Sequence, residues 1–85
     1  MRRALAAGNW KMNGSRAALA ELDALAAAHP DPGCDLLVCP PAPLLPPAAA
    51  RVRGTSLSLG GQDCHPEAQG AHTGAISAGM LVEAG

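Results

Sequence analysis

The stretch that organises this chain runs from Gly8 to Gly14 and reads Gly-Asn-Trp-Lys-Met-Asn-Gly. The run from Arg3 to Ala7 that precedes it is short, unbroken and largely apolar, which predicts a parallel strand buried on both faces. Gly14 and Ser15 end the strand, and Ser15 is the predicted N-cap of a following helix. Lys11 therefore places a strongly hydrated ammonium at the exit of an apolar strand, which indicates an anionic ligand nearby.

Composition restricts the class of protein and its partners. A chain of 85 residues forms one small domain, and with 48% apolar but only 1% aromatic residues its interior must consist of Ala, Leu and Val. A net charge of -1 and dispersed Lys and Arg provide no basic face, which argues against nucleic-acid and membrane partners. The apolar run after Arg2 is too short for a signal peptide, because Asn9 and Lys11 interrupt it. The three cysteines show no repeated close pairing, which favours free thiols and a cytoplasmic location.

The remaining chain alternates between strand and helix patterns. The clearest helix carries Leu19, Leu22, Leu25 and Ala26 on one face. In chain order, the pattern after the first strand predicts a helix at 15–28, a strand at 35–39, a short helix at about 46–53, a strand at 56–62, a long loop at 63–77, and a helix capped by Ser77 that ends near Ala84. This βα repeat predicts a parallel sheet with right-handed crossovers, and it leaves open whether the sheet is open or part of a barrel. Two unpaired sheet edges would favour association with other chains.

Asn9 and Lys11 are two residues apart, so on an extended strand end their side chains would point to the same side. This spacing suits the binding of one ligand, although a solvated lysine at a strand end is an equally simple interpretation. Trp10 lies between them and is predicted to face the opposite way, into packing.

Other types of site lack support in the sequence. The glycines at 8 and 14 do not match a phosphate-binding loop, because no Lys-Ser pair follows Gly14, and no dinucleotide fingerprint is present. Cys34, Cys39, Cys64 and His65 match no zinc-ligand spacing, so no metal site and no cofactor are expected.

The motif from Gly8 to Asn13 resembles the first strand and loop of the triosephosphate isomerase family. Val38 to Pro41 resembles the end of that family's second strand, and Gly60 to His65 and Gly70 to Ser77 resemble its third strand and long third loop. The resemblance covers nearly the whole chain but only about the first third of the enzyme, whose eight-stranded barrel needs about 250 residues. It implies an α/β fold in which residues 1–85 are the first three parallel strands, with their helices, of a single TIM (β/α)8 barrel domain.

The resemblance also implies a function. The family interconverts glyceraldehyde 3-phosphate and dihydroxyacetone phosphate in glycolysis and gluconeogenesis, without a cofactor. Lys11 matches a lysine that places positive charge against the phosphate and the developing enediolate, and Asn9 matches a substrate-binding asparagine. The family's glutamate base and histidine electrophile have no match in this chain, so we expect the isolated chain to be inactive.

The resemblance further implies a homodimer, since the family's third loop inserts into the partner subunit. The residues of this chain assigned to that interface loop are Gln62, His72, Thr73 and Gly74. The threonine that Thr73 matches helps to support the lysine and asparagine of the neighbouring subunit. Ala75 replaces a common glutamate, and Pro66 and His72 replace common aromatic residues, all of which bear on dimer strength. The alternative hypothesis is a non-catalytic remnant that binds a phosphorylated small molecule or another protein chain through the 63–77 loop.

Overall fold

The computed structural model describes residues 2–85. Its regular elements, in chain order, are strand β1 (Leu5–Asn9), helix α1 (Ala20–Ala28), strand β2 (Asp35–Cys39), helix α2 (Leu45–Val52), strand β3 (Leu57–Leu59) and helix α3 (Ala78–Ala84). Short 3-10 turns at Arg16–Leu19 and Ala42–Leu44 lead into α1 and α2. The predicted order of strands and helices is therefore confirmed.

The strands form one parallel sheet in the order β1-β2-β3. β2 lies in the middle, with Val38 opposite Gly8 on one side and opposite Leu59 on the other. At the carboxyl end of the sheet Asn9 lies opposite Cys39. The parallel arrangement predicted from the βα repeat is confirmed.

The core lies between the helices and one face of the sheet. Leu19 and Leu22, which are 2% and 1% exposed, contribute the buried face of the first helical segment, as the sequence predicts. The buried residues packed in this cluster are Leu19, Leu22, Val38, Leu44, Ala48, Val52 and Leu57. Because Val38 faces the helices and strand side chains alternate, Asn9 and Cys39 lie on the opposite, uncovered face of the sheet.

The predicted burial of β1 on both faces is wrong, because every residue of this strand is exposed. β1 has a neighbouring strand on one side only, and nothing in residues 2–85 covers its far face. Leu5 is consequently 59% exposed. The radius of gyration of 13.6 Å also exceeds the value of about 12 Å expected for a compact domain of this length. An apolar strand pattern specifies a buried position, but burial itself requires neighbours.

The first helical segment begins differently from the prediction. Ser15 is the N-cap residue, as predicted, but its side chain makes no capping hydrogen bond. The segment opens instead with a 3-10 turn, in which the Ser15 carbonyl accepts a hydrogen bond from the Ala18 N–H at 3.0 Å. Backbone groups therefore replace the side chain at this end.

The later boundaries follow the sequence more closely. α2 starts one residue before the predicted position, and Arg53 lies directly after it. β3 is shorter than predicted and ends at Leu59, although the Gly60 N–H still donates to the Val38 carbonyl at 3.0 Å. The predicted cap of α3 is confirmed, since Ser77 Oγ accepts a hydrogen bond from the Met80 N–H at 3.3 Å.

The segment 63–77 contains no helix or longer strand, as predicted for a long loop. A single bridge closes its base, where the His65 N–H donates to the Ile76 carbonyl at 2.7 Å. None of the helices in residues 2–85 combines the length and apolar character needed to traverse a bilayer.

Candidate functional site

The carboxyl ends of the strands bring polar groups together at one edge of the sheet. Asn9 ends β1, Cys39 ends β2, and Gln62 follows β3 after two glycines. In parallel α/β folds, ligands bind at this edge, where the loops after successive strands meet. This edge is therefore the candidate site.

Lys11 adopts an unusual backbone conformation just beyond β1. Its φ of 56° lies in the left-handed region, and it is the one non-glycine residue among those described, residues 2–85, with a positive φ. This region costs a residue with a side chain about 1 to 2 kcal/mol relative to glycine. The chain thus turns sharply at Lys11 instead of continuing as a strand, so strand alternation does not determine the direction of its side chain.

Asn9 stabilises this turn through its own side chain. Asn9 Oδ1 accepts a hydrogen bond from the Lys11 backbone N–H at 2.7 Å. This bond identifies the atom facing Lys11 as the amide oxygen, because a backbone N–H must donate. The Nδ2 group of Asn9 makes no hydrogen bond to any other residue of the described chain, so its two hydrogens remain available to a ligand oxygen.

The Lys11 carbonyl is held from the other side of the sheet. Gln62 Nε2 donates to the Lys11 carbonyl and to the Cys39 carbonyl, each at 2.9 Å. The Cys39 carbonyl also accepts a hydrogen bond from the Trp10 N–H at 3.0 Å. The three strand ends are therefore linked by hydrogen bonds at the candidate site.

Trp10 packs as the sequence predicts. It is half-buried and contacts the hydrophobic core. Its ring also lies against Gly14, where an added Cβ would come within 3.0 Å of Trp10 Cε3 and where φ is 103°. The Trp10 carbonyl accepts a hydrogen bond from Asn13 Nδ2 at 2.8 Å. Packing on one side and hydrogen bonds on the other therefore fix the loop that carries Lys11.

The Lys11 ammonium has no acidic partner within the described chain. The ion pairs of residues 2–85 join Arg3 to Asp35 at 2.7 Å, Arg51 to Asp23 at 2.6 Å, and His72 to Glu67 at 3.3 Å. Lys11 is exposed and takes part in none of them. A cation without a carboxylate partner, two residues after an amide with free hydrogens, is suited to binding an anionic oxygen ligand.

The residues predicted for the interface loop are distributed unevenly around this site. Gln62 contacts the Lys11 turn directly. His72, Thr73 and Gly74 are exposed and form no hydrogen bond to that turn within residues 2–85. His72 instead stacks on His65, with ring centroids 3.9 Å apart, and lies next to Glu67.

The sequence of this chain is similar to those of known proteins. The family model described as triosephosphate isomerase matches residues 4–85. The chain belongs to the triosephosphate isomerase family. It is 62% identical over 85 residues to the triosephosphate isomerase of Dinoroseobacter shibae and 60% identical over 85 residues to that of Ruegeria pomeroyi. Both matches cover 100% of this chain and 34% of the relative.

A solved structure supports the same assignment. The crystal structure of triosephosphate isomerase from Bartonella henselae matches with a TM-score of 0.92 at 48% identity, covering 99% of this chain and 35% of that chain. The predicted α/β fold, the first part of a TIM barrel, is thereby confirmed. The chain spans about a third of the length of the curated relatives that it matches.

Two features of this chain were not foreseen from its sequence. The left-handed turn at Lys11 has no local sequence signal, since such turns usually contain Gly or Asn. The double hydrogen bond of Gln62 depends on contacts across 51 and 23 residues of chain. The Gly60-Gly61 pair before Gln62 is the only hint, because paired glycines allow close approach of the backbone.

A large surface cleft lies elsewhere. It has a volume of about 570 Å³ and is lined by residues of the α1 and α2 ends and of the segment before β3, including Asp23, Arg51 and Ser56. This cleft is at the amino ends of the strands, the side of a TIM barrel associated with stability rather than chemistry. The candidate site is therefore assigned from its hydrogen bonds and charge and not from cavity size. Residues 2–85 contain no cluster of three or more potential metal ligands.

Proposed function

We propose that this chain is the amino-terminal third of an enzyme that interconverts glyceraldehyde 3-phosphate and dihydroxyacetone phosphate, and that residues 1–85 belong to a single (β/α)8 domain of that enzyme. The observation that carries the proposal is the Lys11 turn. It places Lys11, whose ammonium has no acidic partner in the described chain, at the carboxyl edge of a parallel sheet, with its backbone N–H bonded to Asn9. Family membership supplies the class of reaction, and this arrangement supplies chemistry that suits it.

In the proposed reaction, Lys11 acts electrostatically. Proton transfer between adjacent carbons passes through an enediolate, whose oxygens carry negative charge that the carbonyl of the substrate lacks. A fixed positive charge beside those oxygens stabilises the intermediate more than it stabilises the substrate, which is the condition for lowering the barrier. The same ammonium also attracts the substrate phosphate.

Asn9 takes a binding role in this proposal. Its Oδ1 is committed to the Lys11 N–H, so Nδ2 is the group that it presents to substrate oxygen. The backbone bond fixes the orientation of the amide before substrate arrives, which lowers the entropy cost of binding. Asn9 and Lys11 therefore act as one preorganised unit.

The base and the electrophile are proposed to come from other parts of the enzyme, since the motifs of residues 1–85 match neither. We accordingly propose that the isolated chain has no turnover. We also propose that the enzyme is cytoplasmic and acts as a homodimer through the 63–77 loop. In that dimer, Thr73 would support the partner's site.

The test compares the isolated chain with a full-length triosephosphate isomerase that begins with this sequence. Isomerisation of glyceraldehyde 3-phosphate is followed in both, at matched protein concentration. Activity in the full-length enzyme and none in the chain supports the proposal. A folded full-length enzyme without activity refutes it. Tight binding of dihydroxyacetone phosphate by an inactive full-length protein would favour the remnant that only binds.

A further inference from the structure

The Gln62 side chain joins the ends of all three strands. It follows β3 and donates from one nitrogen, Nε2, to the carbonyls of Cys39 and Lys11 at 2.9 Å each. A primary amide has two hydrogens on that nitrogen, so each carbonyl receives its own hydrogen. Neither a carboxylate nor a thioether of the same length can replace both bonds.

The hydrogen bonds from Gln62 complete the support of Lys11, the residue with the strained backbone. The Lys11 N–H is held by Asn9 Oδ1 at 2.7 Å, and the Lys11 carbonyl is held by Gln62. Lys11 is thus restrained at both of its backbone polar groups, with a φ of 56° between them. A left-handed residue with a side chain persists only where its surroundings hold it there. Because the backbone sets the direction of the Cα–Cβ bond, the same restraints fix the direction in which the Lys11 side chain leaves the backbone.

The placement of Gln62 is itself fixed by close packing. At Gly61 an added Cβ would lie 2.7 Å from Leu81 Cδ2, so the chain approaches α3 closely one residue before Gln62. The Cys39 carbonyl accepts both the Trp10 N–H and Gln62 Nε2, so both of its lone pairs are used. The position of Gln62 therefore depends on β2 and α3, and that of Lys11 depends on Gln62.

We propose that Gln62 is a positioning residue for Lys11 within the same protomer, in addition to any role at the dimer interface. This inference rests on the proposed function, since it assigns Gln62 a part in the electrostatic role of Lys11. The amide holds the Lys11 carbonyl and thereby keeps the ammonium directed at the substrate. Without the Gln62 amide, the Lys11 ammonium remains in the protein but is no longer held in one direction.

The experiment uses a full-length triosephosphate isomerase that begins with this sequence. Gln62→Glu preserves shape but brings an acceptor against two carbonyl oxygens, and Gln62→Met removes both donors without adding charge. Glu83→Gln and Glu83→Met are the matched controls, because Glu83 is exposed, lies outside the 63–77 loop and makes no ion pair within residues 2–85. The oligomeric state of each variant is measured, and rates are taken at protein concentrations where it equals that of the wild type.

We expect kcat/KM to fall about 10- to 100-fold in both Gln62 variants, since a misplacement of about 1 Å can cost about 100-fold in rate. The Glu83 variants should stay close to the wild type. The decisive readout is a double-mutant cycle with Lys11→Met. If Gln62 acts through Lys11, its replacement has little further effect once the ammonium is gone. A merely structural residue would lower activity by the same factor in both backgrounds, and that result would overturn the inference.

A second measurement separates this inference from the proposed function. Crystal structures of the Gln62→Met variant and of the wild type report the φ of Lys11 directly, whether or not the enzyme is active. Departure of Lys11 from the left-handed region supports the positioning role, and an unchanged turn overturns it. An inactive wild-type enzyme would refute the proposed function and leave this structural comparison intact.

Discussion

Replacing Lys11 with Met in the full-length enzyme is the sharpest test of the site. The change removes one positive charge and keeps a side chain of similar length. The supports of the turn are not removed with it, because Asn9 and Gln62 bind the backbone N–H and carbonyl of Lys11 and not its ammonium. The left-handed turn should therefore survive, and the effect on activity should report the charge.

The size of the effect follows from Coulomb's law. A unit charge about 4 Å from a developing oxyanion stabilises it by about 4 kcal/mol at an effective dielectric constant of about 20. Within residues 2–85 no carboxylate pairs with Lys11 to offset this attraction. Because about 1.4 kcal/mol corresponds to a factor of ten in rate, we expect kcat/KM to fall about 1000-fold.

The assay measures initial rates with glyceraldehyde 3-phosphate, coupled to an NADH-dependent reduction of the product. Arg16→Met is the matched control, because it removes the same charge from an exposed residue that makes no ion pair within residues 2–85. Arg16 is exposed, so water and salt screen its charge and this control should change the rate little. A Lys11→Met enzyme that keeps more than about a tenth of wild-type activity would contradict the electrostatic role, since a loss of a single decade amounts to only about 1.4 kcal/mol.

Three further predictions concern stability, measured by urea unfolding of the full-length enzyme. Lys11→Gly should be more stable than Lys11→Ala by about 1 kcal/mol, because φ is 56° there, and equal stabilities would show that the turn is not strained. Leu22→Ala should lower the free energy of unfolding by about 2 to 5 kcal/mol, because Leu22 is 1% exposed. Met12→Ala should lower it little, apart from any effect at an interface, because Met12 is 95% exposed. Ser77→Ala should cost about 1 kcal/mol by removing the α3 cap, unlike Ser15→Ala, whose side chain makes no capping hydrogen bond, and equal losses would contradict the cap.

The sequence predicts the elements of this fold because their signals are local. Apolar runs between prolines and glycines mark the strands, and the spacing of Leu19 and Leu22 marks the buried helix face. The exposure of β1 is not predictable in this way, since an apolar run does not reveal which neighbours cover it. The absence of a capping bond from the Ser15 side chain is not predictable either, because the 3-10 turn satisfies the backbone by another route.

The candidate site is predictable only in part. The motif around Asn9 and Lys11 identifies which side chains to consider, and their roles as substrate ligands remain predictions. Strand alternation does not determine the direction of the Lys11 side chain, since β1 ends at Asn9 and the backbone turns left-handed. The part played by Gln62 depends on a contact between distant segments, and no local pattern encodes such a contact.

The carbonyl of Cys39 has a consequence for protein engineering. It is both the last acceptor of the middle strand and the common anchor of Trp10 and Gln62, so sheet alignment and the support of the Lys11 turn share one atom. Gly60, whose added Cβ would come 3.0 Å from Cys39 Sγ, lies against the same residue. Repacking at that point to raise thermal tolerance would shift the anchor and, through it, the ammonium. Thermostability and turnover should therefore change together in libraries randomised around this strand end, however far the substituted atoms lie from the substrate.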